Sequence, residues 1–149
     1  MNKQQLELIN KKLEQLMNVE NGFYKRKFEG YNTKINSIED FRNLPFTEKQ
    51  ELRDEYPLGI CAVDEKEIVR IHSSSGTTGT PVIIPYTAQD IIDWAIMFER
   101  CYRMAGVTNV DRVQITPGYG LWTAGIGFQN GAERLGAMVI PMGPGNTDK

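Results

Sequence analysis

The chain has 149 residues, the length of one ordinary domain, and 40% of them are hydrophobic, as in globular proteins. Its 17 Lys and Arg residues nearly balance its 19 Asp and Glu residues, giving a formal net charge of −2, which argues against binding to nucleic acid or to an anionic membrane surface. No apolar run approaches the ~20 residues that span a bilayer, and the charged N-terminus lacks the apolar block of a signal peptide. We therefore expect a cytoplasmic protein.

Residues 1–66 are predicted to form a polar, largely helical N-terminal segment. Apolar residues recur at helical spacing over 3–17, which predicts an amphipathic helix. The sequences at 37–40 and 47–50 resemble capping boxes, so each should open a short helix. The second of these helices should end just before Pro57, because the residue preceding a proline disfavours the helical conformation.

From residue 67 onwards, strands alternate with helices. A helix capped by Thr87 is predicted to run to Gly106, and a second to cover 121–135 and end at Gly136. Alternation of this kind predicts an α/β fold with a largely parallel sheet. The predicted strands are 68–71, 82–84, 112–116 and 137–140.

Two features of this second region are unusual. Gly127 and Gly131 fall inside a predicted helix, where each costs about 1 kcal/mol relative to alanine, so this helix should either pack very closely on a neighbour or line a pocket. The last predicted strand is followed only by residues 141–149, with no helix to cover the sheet. We therefore expect the chain to be part of a longer protein.

The loop between the first two predicted strands is the most informative part of the sequence. Residues 73–81 read Ser-Ser-Ser-Gly-Thr-Thr-Gly-Thr-Pro, so six of nine side chains carry a hydroxyl and two are glycines. Glycine allows a ligand to approach the backbone closely, and successive amides can form an anion site. The loop matches neither GxxxxGK[ST] nor GxGxxG. Its composition alone fits a polyphosphate-binding loop and a flexible hairpin turn equally well.

The order of residues in this loop resembles the signature loop of adenylate-forming enzymes. Further motifs are similar to the N-terminal part of phenylacetate–CoA ligases, from about residue 20 to the end of the chain. The resemblance implies that residues 67–149 begin the large nucleotide- and acid-binding α/β domain, and that the rest of that domain and a C-terminal lid lie outside this chain. The flanking motifs are Leu44–Lys49, Leu52–Pro57, Val69–His72, Tyr119–Trp122, Gly131–Gly136 and Gly145–Thr147.

Enzymes of this family join an aryl acid to coenzyme A in two steps. The carboxylate first attacks the α-phosphorus of ATP and releases pyrophosphate, and the thiol of coenzyme A then displaces AMP. The resemblance thus implies ATP, Mg²⁺ and coenzyme A as cofactors and a small aryl acid as substrate, with a homodimer left open. No residue of this chain is assigned a catalytic or metal-binding role, and we expect the chain alone to be inactive.

The resemblance also implies two groups of site residues. Thr80 stands where relatives often carry Lys, which predicts a weaker hold on pyrophosphate. Relatives often have an aromatic residue where this chain has Pro117 and a small residue where it has Phe128, so the identity of the acid is left open. The phosphate-binding residues are Ser73, Ser74, Ser75, Gly76, Thr77, Thr78, Gly79 and Thr80. The acid-pocket residues are Pro117, Gly118, Tyr119, Trp122 and Phe128.

Other interpretations compete with this one. Trp122 and Phe128 also fit ordinary core packing, and His72, the single histidine, is more typical of a structural residue than of a catalytic one. The chain as a whole also fits a non-catalytic nucleotide-binding or docking module that needs a separate C-terminal chain. A phosphotransferase of an unrelated family is disfavoured, because the sequence lacks both a loop lysine and an acidic metal cluster.

Overall fold

A computed structural model describes residues 1–20, 22–74 and 79–145. Strand β1 pairs with β2, and β3 pairs in parallel with β4, so the predicted α/β architecture is confirmed. Among the described residues, no helix is both long and apolar enough to cross a membrane. The helices and strands are α1 (Lys3–Met17), α2 (Phe23–Lys27), α3 (Ile38–Arg42), α4 (Lys49–Asp54), β1 (Ile68–Ser73), β2 (Ile83–Thr87), α5 (Ala88–Met104), β3 (Arg112–Gln114), α6 (Ala124–Leu135) and β4 (Met138–Ile140).

The chain divides into two compact units. The first comprises Met1–Lys66 and the described residues of 78–83, and the second comprises the described residues of 67–77 together with those from Ile84 onwards. The first unit is helical around a small core of Leu13, Phe28 and Ile35. The second contains the parallel strand pair together with α5, which has 17 residues, and α6, which has 12.

Helix α1 has the bounds that its periodicity predicts. The side chain of Asn2 accepts a hydrogen bond from the backbone N–H of Gln5, and the Gln5 side chain accepts one from the N–H of Asn2, which satisfies two donors at the helix start. Asn10 then links the helix to the extended segment that follows α2. Its side-chain amide donates to the carbonyl of Ile35 at 2.7 Å and accepts from the N–H of Ile35 at 2.8 Å.

The short helices of the first unit only partly follow the sequence prediction. Helix α3 begins at the capping box of Ser37 and Asp40, as predicted. Helix α4 is capped one residue later than predicted, because the carboxylate of Glu51 accepts from the N–H of Glu48 at 2.7 Å and not from that of Thr47. Helix α2 was not predicted: it has five residues and no side-chain cap, so it leaves little signal in the sequence.

Helix α5 begins and ends where its sequence predicts. Thr87 and Asp90 form a reciprocal capping box at its start. At its end the chain turns at Gly106, whose φ of +84° lies in the left-handed region that glycine adopts without strain. Helix α6 ends in the same way at Gly136, with φ +87°, again as predicted.

Helix α6 begins three residues later than predicted. The sequence predicts a start at Leu121, whereas the first helical residue is Ala124. The backbone shows why: the N–H of Gly125 donates to the carbonyl of Gly118 and not to that of Leu121. The carbonyl of Leu121 accepts instead from β1, so a tertiary hydrogen bond replaces what would have been the first turn of the helix.

The strands differ from prediction mainly at their ends. Strand β1 continues two residues further than predicted, and β2 begins one residue later and ends three residues later than predicted. Strands β3 and β4 are each shorter than predicted. Pairing continues past the end of β3, because the N–H of Ile115 donates to the carbonyl of Ile140 at 2.9 Å. The carboxyl end of β3 therefore leads directly into the predicted acid-pocket segment.

The glycines inside α6 allow close packing against α5. A Cβ atom on Gly131 would lie 2.3 Å from the Cβ of Phe98, and one on Gly127 would lie 2.8 Å from a ring carbon of Trp94. Real Cβ atoms do not approach other atoms this closely. Of the two explanations that the sequence allows for these glycines, the structure shows close helix packing.

We expect Gly131→Ala to lower the free energy of unfolding by about 2 kcal/mol. Alanine favours a helix by about 1 kcal/mol over glycine, but its methyl group would meet the backbone of α5 and the Cβ of Phe98, neither of which can rotate away. Urea unfolding followed by circular dichroism measures the change. Gly120→Ala is the control, because its methyl group would enter open space and should shift stability by less than about 0.5 kcal/mol. Equal stability of the two variants would contradict the packing.

A three-residue charge network also joins α5 and α6. The carboxylate of Glu99 accepts hydrogen bonds from Arg103 on the same helix at 2.8 and 2.9 Å and pairs with Arg134 on α6 at 2.8 Å. The hydrogen bond from Arg103, aided by the charges of both arginines, lowers the pKa of Glu99 below its ordinary value. Glu99 is therefore part of the helix contact and not of a freely solvated face.

We expect Glu99→Gln to destabilise the protein at pH 7 and to have a smaller effect in acid. Because the folded pKa of Glu99 is lowered, its contribution is present above the unfolded pKa of about 4.3 and is lost as pH falls through the folded value. Thermal unfolding of the unsubstituted protein and of Glu99→Gln between pH 7 and pH 3 measures the difference between their melting temperatures. Glu133→Gln, which removes the same charge from α6, should change the melting temperature less. If this difference in melting temperature is larger in acid than at pH 7, the charge network does not stabilise the helix contact.

Candidate active site

The predicted acid-pocket segment, residues 117–122, lies where ligands commonly bind in α/β proteins. It follows the carboxyl end of β3, and open parallel sheets bind ligands outside the carboxyl ends of their strands. Two hydrogen bonds shape this edge: Gly143 donates to the carbonyl of Ile115 at 2.9 Å, and Gly125 donates to that of Gly118 at 3.2 Å. The segments that follow β3 and β4 therefore meet beside the start of α6.

The carbonyl of Leu121 joins this segment to the end of β1. It accepts a hydrogen bond from the backbone N–H of Ser73 at 2.9 Å and lies 3.0 Å from Nδ1 of His72. Ser73 is the first residue of the predicted phosphate loop, so two predicted sites meet at one backbone oxygen. Nothing in the sequence pattern indicates this contact, because Ser73 and Leu121 are 48 positions apart.

The structure describes four of the eight predicted phosphate-binding residues. Ser73 is buried and Ser74 is half-buried, and both belong to the second unit. Gly79 and Thr80 are exposed, and Gly79 has a φ of +129°, a conformation that requires glycine. The predicted roles of Ser75, Gly76, Thr77 and Thr78 fall outside the described residues, as do the family-motif residues Asn146 and Thr147.

The aromatic residues of the predicted acid pocket are largely exposed. Trp122 is 59% exposed, and Tyr119 and Phe128 are each 40% exposed, so burial in the core does not explain Trp122. Phe128 makes one edge-to-face contact, with the ring of Phe98 at 5.1 Å. Pro117 and Gly118 are half-buried at the base of the segment.

Tyr102 on α5 links two of these aromatic residues. Its hydroxyl donates to the carbonyl of Phe128 at 3.2 Å. Burial, and then the proximity of Tyr119, raises the pKa of Tyr102. Burial, and then the charge of Glu133, likewise raises the pKa of Tyr119. Both phenols therefore remain protonated at neutral pH and present neutral hydroxyl groups.

A row of aromatic rings runs behind the site. Tyr86 and Trp94 stack at 5.3 Å, and His72 contacts both rings edge-on at 5.6 and 5.3 Å. The row continues through Phe98, whose ring centre is 5.8 Å from that of Trp94. The spacing of Trp94 and Phe98, four residues apart on one helix, is the signal from which the row could have been predicted.

His72 is the buried polar member of this row. It is only 3% exposed, which supports the structural interpretation of this residue. Its Nδ1 faces the carbonyl of Leu121, and its Nε2 has no hydrogen-bond partner among the described residues.

Comparison with solved structures shows which class of protein has this fold. The chain matches 2-hydroxyisobutyryl-CoA ligase, solved in complex with 2-HIB-AMP and CoA in the thioesterification state, with a TM-score of 0.85 and 29% identity. The match covers 97% of this chain and 32% of that structure. No family model matches the chain. The fold is therefore that of part of an adenylate-forming acid–CoA ligase, as predicted.

Curated relatives show which enzymes of this class the chain is similar to. The chain is 50% identical over 115 residues to the phenylacetate-coenzyme A ligase of Pseudomonas putida, covering 77% of this chain and 26% of that protein. It is 46% identical over 129 residues to the Escherichia coli K12 enzyme of the same name, covering 85% and 30%. The chain is thus a homologue of the phenylacetate-coenzyme A ligases, and the family resemblance is confirmed. It spans less than a third of the length of these relatives.

Proposed function

We propose that this chain forms the phosphate- and acid-binding part of an ATP-dependent aryl-acid–CoA ligase. The observation that supports it most directly is the shared contact at the carbonyl of Leu121, which holds the start of the phosphate loop beside the acid-pocket segment. Adenylation requires the carboxylate and the α-phosphorus to be held close together and in line, and such positioning supplies much of the rate.

In this proposal the loop binds the β- and γ-phosphates with neutral donors. Backbone amides and the hydroxyls of residues 73–80 would stabilise the charge that moves to pyrophosphate as the α-phosphorus is attacked. Backbone N–H and hydroxyl donors fit phosphate oxygens, and no group of three His, Cys, Asp or Glu side chains that could hold a metal ion occurs among the described residues. We therefore assign no residue of this chain to Mg²⁺, which accompanies ATP and neutralises its phosphates.

The acid would bind against the exposed aromatic residues. The rings of Tyr119 and Trp122 offer exposed apolar faces against which an aryl ring can pack. An aryl carboxylate placed there would direct its polar end towards the phosphate loop, because the two segments share the oxygen of Leu121. Pro117 and Phe128 would set the size of the pocket, which leaves the identity of the aryl acid to be measured. Coenzyme A would displace AMP in the second step.

The first test of this proposal measures exchange of labelled pyrophosphate into ATP. We would fuse the chain to the remaining C-terminal part of the Escherichia coli relative and compare this chimera with the 149-residue chain. We expect aryl-acid-dependent exchange by the chimera and none by the chain alone. If the chimera is folded and binds ATP but exchanges with no aryl acid, the chain is a nucleotide-binding module and the ligase proposal fails.

In the same chimera, we expect Thr80→Lys to lower the KM for ATP about fivefold. An ammonium group makes a charge-assisted hydrogen bond to phosphate, which is about twice as strong as a neutral one. Thr80 is exposed, so a longer side chain should not disturb folding. Thr80→Gln, which adds length without charge, is the matched control and should leave the KM nearly unchanged. An unchanged KM in the lysine variant would count against phosphate binding at this position.

We expect Trp122→Ala to raise the KM for the aryl acid about tenfold and to leave that for ATP within about twofold. The substitution removes an aromatic surface of the kind that contributes about 1 kcal/mol or more to ring contacts. Trp122→Phe keeps an aromatic face and should retain most of the acid affinity. Because Trp122 is 59% exposed, neither variant should unfold. An equal rise in both KM values would show that Trp122 does not select the acid.

A further inference from the structure

We propose that His72 is a positioning residue that fixes the first residue of the phosphate loop against the acid-pocket segment. It does so by donating a hydrogen bond from Nδ1 to the carbonyl of Leu121, the same oxygen that accepts from the N–H of Ser73. Its role in the reaction rests on the proposed ligase function, whereas the contact itself can be tested without any substrate.

The geometry determines which nitrogen of His72 carries the proton. The Nδ1 atom lies 3.0 Å from a carbonyl oxygen, and a carbonyl can only accept. Nδ1 must therefore be the donor. In the neutral ring Nε2 is then an acceptor, and it has no hydrogen-bond partner among the described residues.

The aromatic neighbours of His72 hold the ring in this orientation. Tyr86 and Trp94 meet it edge-on, with interplanar angles of 79° and 73°. His72 is only 3% exposed to solvent. A half-turn of the ring would replace the Nδ1 donor with a carbon and lose the bond to Leu121. Packing therefore directs the donor at this one oxygen, which is what a positioning group requires.

The backbone of Leu121 needs such an anchor because the exposed side chain of this residue contributes little packing. That residue is 51% exposed, and its carbonyl is outside the helical bonding of α6, since Gly125 donates to Gly118 instead. Without His72, the carbonyl of Leu121 would keep the backbone hydrogen bond from Ser73. With His72, two donors converge on the same oxygen, so the loop start and the pocket segment are held in one register.

Two variants separate the hydrogen bond from the packing. His72→Phe keeps an aromatic ring among Tyr86 and Trp94 but removes the donor. His72→Asn loses the ring, yet its side-chain amide nitrogen stands close to where Nδ1 stood and can donate to Leu121. Near-ultraviolet circular dichroism and thermal unfolding check that both variants fold.

The contact is tested in the 149-residue chain by nuclear magnetic resonance. The chain has one histidine, so its ¹⁵N signals are unambiguous, and we expect the hydrogen to reside on Nδ1. We also expect the amide of Ser73 to exchange about tenfold faster in His72→Phe, the effect of losing one supporting hydrogen bond, and to return to within about threefold in His72→Asn. A hydrogen on Nε2, or equal exchange in all three proteins, would overturn the proposal.

The positioning role is tested in the chimera by the division between kcat and KM. Loss of alignment without loss of binding should lower kcat about tenfold in His72→Phe and leave both KM values within about twofold. His72→Asn should recover most of kcat. An unchanged kcat in His72→Phe, or no recovery in His72→Asn, would refute positioning. If the unsubstituted chimera is folded and binds ATP but does not catalyse exchange, the ligase proposal fails instead. The resonance experiments on the 149-residue chain still test the contact.

Discussion

The close contact between α5 and α6 is the constraint on which the second unit depends. Gly127 and Gly131 leave no room for a Cβ atom against Trp94 and Phe98, so α6 lies directly on the α5 surface. This contact holds α6 against α5, and the hydrogen bond from Gly125 to the carbonyl of Gly118 joins the start of α6 to the segment that follows β3. Close packing of this kind is rigid, because interiors at crystal-like density do not deform continuously.

The same contact organises the aromatic row and the site in front of it. Trp94 and Phe98 touch α6 on one side and extend the row of rings that contains His72 and Tyr86. That row supports the one imidazole whose nitrogen reaches Leu121. Helix packing, ring stacking and a pair of hydrogen bonds are thus successive parts of one arrangement, and the two proposed binding segments lie at its end.

The sequence predicts elements well where local signals agree. Periodicity gives the bounds of α1, and the capping box at Thr87 together with Gly106 gives those of α5. The identity of the family likewise follows from one loop and its flanking motifs, since residue order in a glycine-rich loop is a far narrower signal than composition. Local consistency of this kind is typical of natural sequences.

Prediction fails where a distant residue decides the outcome. The start of α6 is wrong by three residues because the carbonyl of Leu121 is taken by β1. The sequence prediction ends β2 at Ile84, whereas the strand continues through Pro85 to Thr87. The contact of His72 with Leu121 has no local signal, and sequence alone left close packing and pocket lining equally open for the two glycines. Tertiary hydrogen bonds and helix contacts resolve these points.

The most direct measurement of the central claim is a crystal structure of the chain with a non-hydrolysable ATP analogue and an aryl carboxylate. The account predicts the triphosphate within hydrogen-bonding distance of residues 73–80, and the aryl ring against Tyr119 and Trp122. It also predicts that the carboxylate faces the α-phosphorus. A triphosphate bound elsewhere, with the loop from Ser73 turned away from it, would contradict the account.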